Sequence, residues 1–563
     1  MKHWKVLKKL KKNSTEEIKK ILFVNRGLKS KKDVDFFINP QNPKEITAIK
    51  LGIRKKELNK ALGRICTAIE KKEKIVVYGD YDCDGITATA ILWEQLYFAG
   101  ADVLPYIPDR IEDGYGLSES GLNKLKEQIP DTKLVITVDH GITAVEQARF
   151  AQEKLGLELI ITDHHTKGRK TPKAYAIIHT TNLSGAGIAW FLAREIIDSF
   201  FLRKTLPQGK KPTTSLDLAA LGTIADMVSL QGHNRSIAKF GLEEIHKTER
   251  IGLLALIYES GLAKDQIGAY EIGFMLAPRL NALGRIDNAM DALRLLCTKD
   301  TVRAAKLAKK LNDVNLQRQK LTEETVVHAK NLVLNSGNKK LLFISHESYN
   351  QGIIGLVAGK LTEAYYLPAI VVAKGEKISK ASARSINGFN IVNAIRSFSD
   401  ILINVGGHPM AAGFTVETEK LEILRERLEF FASQQITDDL LTRELKIDCE
   451  MDLENINWEL ENLLEQFRPF GTNNPEPVFS SKVKVSGVRI IGKTAKHLKL
   501  TVHSCVSGAD QQLFDAVAFN FADLYDKIKP TDTIEIAYMI EKNEWGGEKK
   551  LQLKIRDIKT KIR

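Results

Sequence analysis

From residue 74 the chain alternates short Val- and Ile-rich runs with amphipathic stretches, and this alternation limits the possible folds more than any other feature. The runs are "KIVVYGD" at 74–80, "ADVLPYIP" at 101–108, "KLVITVDHG" at 133–141 and "LELIITDHH" at 157–165. "TATAILWEQLYFAG" and "AVEQARFAQEKLG" lie between them with helical spacing. Strands that alternate with helices predict a parallel sheet with crossover helices. Ligands of such sheets bind beyond the carboxyl ends of the strands.

Those strand ends are acidic. "VVYGDYDCDGIT" at 76–87 carries Asp80, Asp82 and Asp84, Asp139 follows the third run, and Asp163, His164 and His165 end the fourth. Carboxylates crowded without a counter-charge repel and take up protons. A divalent cation removes that cost, and oxygen ligands mixed with a few imidazoles suit Mn²⁺ or Mg²⁺. Two such ions sharing a carboxylate are suited to phosphoester hydrolysis. Alone, DxDxD reads as the start of an EF-hand loop, though without its downstream acidic pattern, and DHH as a helix cap with two surface histidines; the set on successive strand ends reads as neither. Asp226 joins it, because it interrupts the apolar "LDLAALGTIADMVSL" at 216–230, where an unpartnered carboxylate is costly.

Elsewhere, residues 1–70 read as a polar, mostly helical lead-in. A long polar stretch at 301–337 without internal Gly or Pro reads as one extended helix. A second α/β region follows, with "KLLFISH" and "PAIVVAK" as strands and "GIIGLVAGKLTEAYY" as a helix. After the turn-rich "RPFGTNNPEPVF" at 468–479 come five short strand patterns, which suggest a small barrel of the OB type. Residues 480–563 hold 16 Lys and Arg against 10 Asp and Glu. Of the aromatics there, Phe514, Phe519, Phe521, Tyr525 and Tyr538 read mostly as core, and Trp545 in "NEWGGE" as the exposed one.

The formal net charge of +13 suits polyanionic partners, and equally a merely lysine-rich composition without one. No apolar run is long enough to span a bilayer, and the N-terminus lacks the apolar core of a secretory signal. Five scattered cysteines without a CxxC pair argue against a zinc ribbon or a disulfide framework and fit a reducing, cytoplasmic setting.

The order GDYDCDG, VDHGI, DHH and ALGTIADMV resembles the DHH phosphoesterase superfamily and, more narrowly, the RecJ single-stranded-DNA-specific exonucleases. "PDRIEDGYGLS", Asn234-Arg235, "LAPRLNALGR", "SARS", "GGHPMAAGF" and "FRPFGTNNPEPVF" match the narrower family. The resemblance implies two α/β domains joined by a long helix, plus a C-terminal OB-type β-barrel. The boundaries expected are 1–70 for the lead-in, 71–300 for the DHH domain, 301–337 for the helix, 338–435 for the DHHA1 domain and 445–563 for the barrel.

The resemblance also implies 5′-to-3′ degradation of single-stranded DNA to mononucleotides with two Mn²⁺ or Mg²⁺ ions, in repair and recombination. A helicase and a single-strand-binding protein would supply the strand. Asp82, Asp84, Asp139, His164 and Asp226 would bind the ions, with Asp139 bridging. Asp80 would be a ligand or stand directly behind the ligands, and His165 would contact the scissile phosphate or assist the leaving group. Arg110, Arg279, Arg285 and Arg384, expected in polar or Gly-rich loops, would hold the strand with Asn281 and His408, and Ser382 with Arg384 would take the 5′ phosphate. The chain departs from the pattern at Tyr349–Gly352, at His179 and Thr180, and at His140. Two alternatives are a superfamily phosphodiesterase for short oligonucleotides or cyclic dinucleotides, which usually lacks the barrel, and a non-catalytic scaffold, which loses the acidic set.

Overall fold

A computed structural model describes residues 2–10, 14–110, 113–114, 116–199, 214–334, 337, 339–505, 512–545 and 547–560. The chain folds as two compact units, one of residues 4–250, 262–277 and 444–563, the other of residues 1–3, 251–261 and 278–443. Among the described residues no helix is long and apolar enough to cross a membrane.

A short strand, His3–Val6, precedes the helices α1 (Thr15–Asn25) and α2 (Lys31–Ile38) of the first unit. Ser30 caps α2 by accepting from the Asp33 amide, and Asp33 returns the bond to the Ser30 amide, so two helix-end donors are satisfied together. The parallel sheet follows, with β1 (Lys74–Tyr78), β2 (Val103–Tyr106), β3 (Thr132–Val138), β4 (Glu158–Asp163) and β5 (Ala176–His179). Its order is β2-β1-β3-β4-β5, all parallel. The direction of winding therefore reverses between β1 and β3, the place where doubly wound sheets bind ligands. Ile75 to Tyr78 and Leu134 to Val138 are buried throughout, which is why these strands read as continuous apolar runs.

Helices α3 (Cys83–Phe98), α4 (Gly185–Asp198), α5 (Leu216–Ala225) and α6 (Gly232–Ile245) pack around the site. Every residue of α5 from Leu216 to Ile224 is buried, as an all-round apolar helix must be.

In the second unit, α7 runs from Thr301 to Leu334 as one 34-residue helix, and residues 335–336 of the expected stretch lie outside the described residues. It leads to β6 (Leu342–His346), α8 (Ile354–Tyr365), β7 (Ala369–Ala373), β8 (Ile378–Arg384), β9 (Leu402–His408) and β10 (Ala411–Glu417). This sheet has the order β9-β10-β8-β7-β6 and is antiparallel except for β6–β7. Helix α8 buries Val357, Ala358 and Leu361 against Leu342, Ile344, Ala369 and Val371.

The barrel consists of β11 (Phe479–Ile491), β12 (His497–Ser504), β13 (Phe514–Ala518), β14 (Thr533–Trp545) and β15 (Glu548–Lys559). Pairing of β11 with β14 closes it, which removes the free sheet edges. Phe514 and Tyr538 are buried, whereas Phe519 and Tyr525 are exposed; the side chain of Trp545 lies outside the described residues.

The N-terminal residues are more than a lead-in. Ile18, Leu22, Phe23 and Phe37 from α1 and α2 share one core with the barrel interior, and the Phe23 and Phe467 rings stack at 4.8 Å. Arg235 on α6 is fully buried. It donates to the carbonyls of Phe37 at 2.6 Å, Gln466 and Phe467 at 3.0 Å and Arg468 at 2.8 Å. With no carboxylate among these acceptors, burial lowers its pKa to about 10. This one side chain ties together α6, the N-terminal helices and the segment leading into the barrel.

Candidate active site

The acidic residues reach one place because three strand ends and three helix ends meet there. Asp80 and Asp82 follow β1, and Asp82 caps α3, its Oδ1 accepting from the Gly85 amide at 3.0 Å. Asp84, in the first turn of α3, accepts from the Gly185 amide at 2.7 Å and the Ala186 amide at 2.9 Å. It thereby satisfies the first free donors of α4, and the partial positive charge of that helix end favours a carboxylate there. Asp139 follows β3 with a φ of +69°, a left-handed conformation rare outside glycine that aims its carboxylate inward. Asp226 is the C-terminal cap of α5.

His164 joins them. Its Nε2 lies 3.1 Å from Asp139 Oδ1, 3.5 Å from Asp226 Oδ2 and 3.9 Å from Asp84 Oδ2. Three sets of side chains bring their ligand atoms within 4.8 Å of one another: Asp80, Asp82 and Asp139; Asp84, His164 and Asp226; and Asp139, His164 and His165. Asp139 thus belongs to both sides of the cluster. Asp139 Oδ1, His164 Nε2 and Asp226 Oδ2 are buried and make no hydrogen bond among the described residues. Buried polar atoms left in this state are costly unless a ligand meets them. Oxygen donors with one neutral imidazole nitrogen fit a hard or borderline divalent cation.

The electrostatics agree. Burial, then the charge of Asp82, raises Asp80 to about 8 and Asp84 to about 7. Burial and the Asp84 charge raise Asp226 to about 9 and push Asp139 well above the carboxylate range. Burial and neighbouring His165 lower His164 to about 4, so its ring is neutral at physiological pH, the form that binds metal.

Asp163 faces away from this set. Its Oδ1 pairs with His165 Nδ1 at 2.8 Å, and its Oδ2 accepts from the Ile142 amide at 2.8 Å. Burial works to raise Asp163, but the bond from His165 overrides it and holds the carboxyl at about 2. For His165 burial works downward, and the same pair lifts its pKa. His179 Nε2 donates to the His165 carbonyl at 2.8 Å, and His140 Nε2 donates to the Tyr78 carbonyl at 3.1 Å. Two of the residues that depart from the family pattern therefore brace this region internally.

Glycines that the sequence did not single out make the close approach possible. A Cβ at Gly185 would fall 2.5 Å from the Asp139 Cβ, and one at Gly222 would fall 2.6 Å from Asp84 Oδ1. The only sequence signal was their position at a helix start and inside an apolar helix.

The substrate-binding candidates divide between the units. Arg110, in the first unit, places its guanidinium 5.0 Å from the centre of the Tyr81 ring, between Asp80 and Asp82 in sequence. The others are in the second unit, and three expected in loops sit on regular elements instead. Arg279, Asn281 and Arg285 lie on the helix Ala277–Ile286, and Arg384 ends β8. Apolar Leu280 and Leu283 are buried between them, a helical spacing masked by the Pro and Gly of the motif. Arg279 Nε donates to Asn312 Oδ1 at 3.1 Å, and Arg285 Nη1 to the Gly352 carbonyl at 3.2 Å. Arg384 Nη1 reaches Ser382 Oγ at 3.3 Å on the same face of β8. A Cβ at Gly355, on α8, would stand 3.0 Å from Ser382 Oγ. His408, exposed, is opposite Ala411, which is opposite Arg384, so His408 and Arg384 share a sheet face two strands apart.

Comparison with known proteins agrees with this architecture. The chain matches the family models for the DHH family N-terminal domain over residues 74–223, the DHHA1 domain over 338–434 and the RecJ OB domain over 447–557. It is 37% identical to the single-stranded-DNA-specific exonuclease RecJ of Bacillus subtilis, over 95% of this chain and 67% of that one. It is 31% identical to the RecJ of Salmonella typhimurium over 95% of both chains. The crystal structure of Thermus thermophilus RecJ in complex with Mn²⁺ aligns with a TM-score of 0.81 at 29% identity, covering all of this chain and 80% of that one. With the acidic set, both α/β domains and the closed barrel all present, the chain belongs to the RecJ family of single-stranded-DNA-specific exonucleases.

Proposed function

We propose that the chain removes 5′-mononucleotides from the 5′ end of single-stranded DNA, with Asp82, Asp84, Asp139, His164 and Asp226 holding two Mn²⁺ or Mg²⁺ ions, Asp139 between them and Asp80 beside them. The observation that carries this reading is the convergence of three buried, unsatisfied atoms, Asp139 Oδ1, His164 Nε2 and Asp226 Oδ2. Two divalent cations bound here would supply positive charge opposite the phosphoryl oxygens and acidify water for attack.

The chain's own groups do the rest. Asp163 orients His165 and favours its protonated form, so that His165 donates to the scissile phosphate or to the departing 3′ oxygen. Arg110, held on the Tyr81 ring, offers its planar fork to a phosphate. Ser382 and Arg384 receive the terminal 5′ phosphate, and Arg279, Asn281, Arg285 and His408 hold the strand behind it. The chain divides into segments 1–70, 71–300, 301–337, 338–435 and 445–563. In the cell a helicase and a single-strand-binding protein deliver the strand during repair and recombination. The deciding experiment is a degradation time course with Mn²⁺ on strands labelled at either end. Mononucleotides released from the 5′ end by the wild type and not by Asp139→Ala support the reading; release from the 3′ end, or an active variant, rejects it.

A further inference from the structure

At Tyr349–Gly352, where the chain departs from the family pattern, it builds a turn that grips Arg285. The turn follows β6 and leads into α8. Asn350 shapes it. Its Oδ1 accepts from the Gly352 amide at 2.7 Å, the local bond by which Asn favours turns, and its carbonyl accepts from the Ile353 amide at 3.1 Å. Gly352 then passes so close to the helix Ala277–Ile286 that a Cβ on it would collide with the Arg285 carbonyl oxygen, so only glycine fits. The Gly352 carbonyl accepts from Arg285 Nη1 at 3.2 Å. A carbonyl carries no net charge, so this bond directs the guanidinium without neutralising it.

The turn is itself held from the long helix. Tyr349 is buried, and its hydroxyl bonds Nδ1 of His328, on α7, at 2.9 Å. Burial alone would suit Phe at this position; the hydroxyl adds a directed bond to the scaffold. His346, at the end of β6, packs its ring against both, with centres 4.7 Å from the His328 ring and 5.5 Å from the Tyr349 ring. Its Nδ1 accepts from the Ser348 amide at 3.2 Å, which ties that ring to the same turn. Helix α7 thus reaches two arginines of the helix Ala277–Ile286. It meets Arg279 directly, through Asn312 at 3.1 Å, and Arg285 by way of His328, Tyr349 and the turn.

We propose that Tyr349 and Asn350 are positioning residues for Arg285, and that the turn they form aims its guanidinium at a phosphate of the bound strand. The proposal rests on the reading of Arg285 as a strand-binding residue. A planar fork must be aligned to meet a phosphate with two donors. Holding a long side chain in one rotamer beforehand also spares the entropy of ordering it on binding.

The test uses the full-length protein with Mn²⁺ and a 5′-phosphorylated oligothymidylate of several tens of nucleotides, with KM and kcat measured over a range of salt. Arg285→Ala is expected to raise KM on the order of tenfold, as for a lost charged hydrogen bond, and to reduce the salt slope of log(1/KM) by about 0.7. Asn350→Ala is expected to raise KM roughly fivefold with kcat unchanged, the mark of lost uniform binding. Asn350→Ser keeps an acceptor for the Gly352 amide and should recover most of that loss. Tyr349→Phe should act in the same direction as Asn350→Ala. In the Arg285→Ala background neither change should raise KM further, because both residues act through one guanidinium. Equal effects in both backgrounds, or an unchanged KM in both single variants, overturn the proposal. An unchanged KM and salt slope in Arg285→Ala defeat the strand-binding reading of Arg285 and the positioning with it. A raised KM there, with wild-type KM in Asn350→Ala and Tyr349→Phe, defeats the positioning alone.

Discussion

Asp139 Oδ1 and His164 Nε2 face each other at 3.1 Å, both buried and without a hydrogen bond among the described residues. A carboxylate and an imidazole brought this close by separate strand ends are suited to share a divalent cation, and Asp139 stands there in a left-handed backbone conformation. Asp139→Asn keeps the shape and removes the charge. Turnover is expected to fall by several orders of magnitude, toward the residual rate left when binding alone operates. A rate assay with a thermal melt checks this; a variant retaining a tenth of the activity would remove Asp139 from the centre.

The raised carboxyls make the metal-free protein sensitive to pH. Asp84, Asp80 and Asp226 titrate at about 7, 8 and 9 in the fold, against roughly 3.9 for an unfolded Asp. A group whose pKa is higher in the folded state adds stability below its unfolded pKa and loses it as pH climbs through the folded one. In chelator the melting temperature should therefore fall as pH rises from about 6 to about 9. Saturating Mn²⁺ should remove most of that slope by neutralising the ionised carboxylates. Identical slopes with and without Mn²⁺ would contradict it.

Gly185 is the neighbour on which the geometry depends. Gly185→Ala puts a Cβ 2.5 Å from the Asp139 Cβ, so either α4 or Asp139 must move. The expected cost is about 1–3 kcal/mol of stability, as for other overpacked interiors. A weaker apparent Mn²⁺ affinity should accompany it, read from the metal dependence of the rate. Wild-type metal dependence would show that the loop accommodates the methyl group.

Asp163 holds His165 through a 2.8 Å bond from Nδ1 to Oδ1. Asp163→Asn removes the charge that lifts the imidazole, so the His165 pKa falls. If His165 works protonated, the alkaline limb of the pH–rate profile should shift to lower pH, with kcat reduced on the order of 10²-fold. An unshifted limb would assign it to another group.

Ser382 and Arg384 are expected to read the strand terminus. Arg384→Ala should erase any preference for a 5′-phosphate over a 5′-hydroxyl end, a loss on the order of tenfold or more for a charged hydrogen bond. An unchanged ratio of kcat/KM for the two ends would place the terminus elsewhere.

Much of this was legible in the sequence because it is local or periodic. Continuous Val and Ile runs mark the strands of the parallel sheet, buried on both faces, and alternation marks the barrel strands, so both could be read from side-chain pattern alone. Acidic residues directly after such strands could be placed on one rim, because strand ends of a parallel sheet share an edge. What the pattern does not carry is contact between distant segments. The position of α1 and α2 in the barrel core depends on Phe23 meeting Phe467, and Arg235 finds its carbonyl acceptors 198 to 233 residues away. The need for Gly185 and Gly222 is visible only once Asp139 and Asp84 press against them. The sequence by itself determined which residues carry charge and which strands they follow. Only the tertiary structure decided that Asp163 turns away to hold His165 while His164 turns in, because side-chain direction at a strand end is set by the hydrogen bonds available around it, here the Ile142 amide and the imidazole.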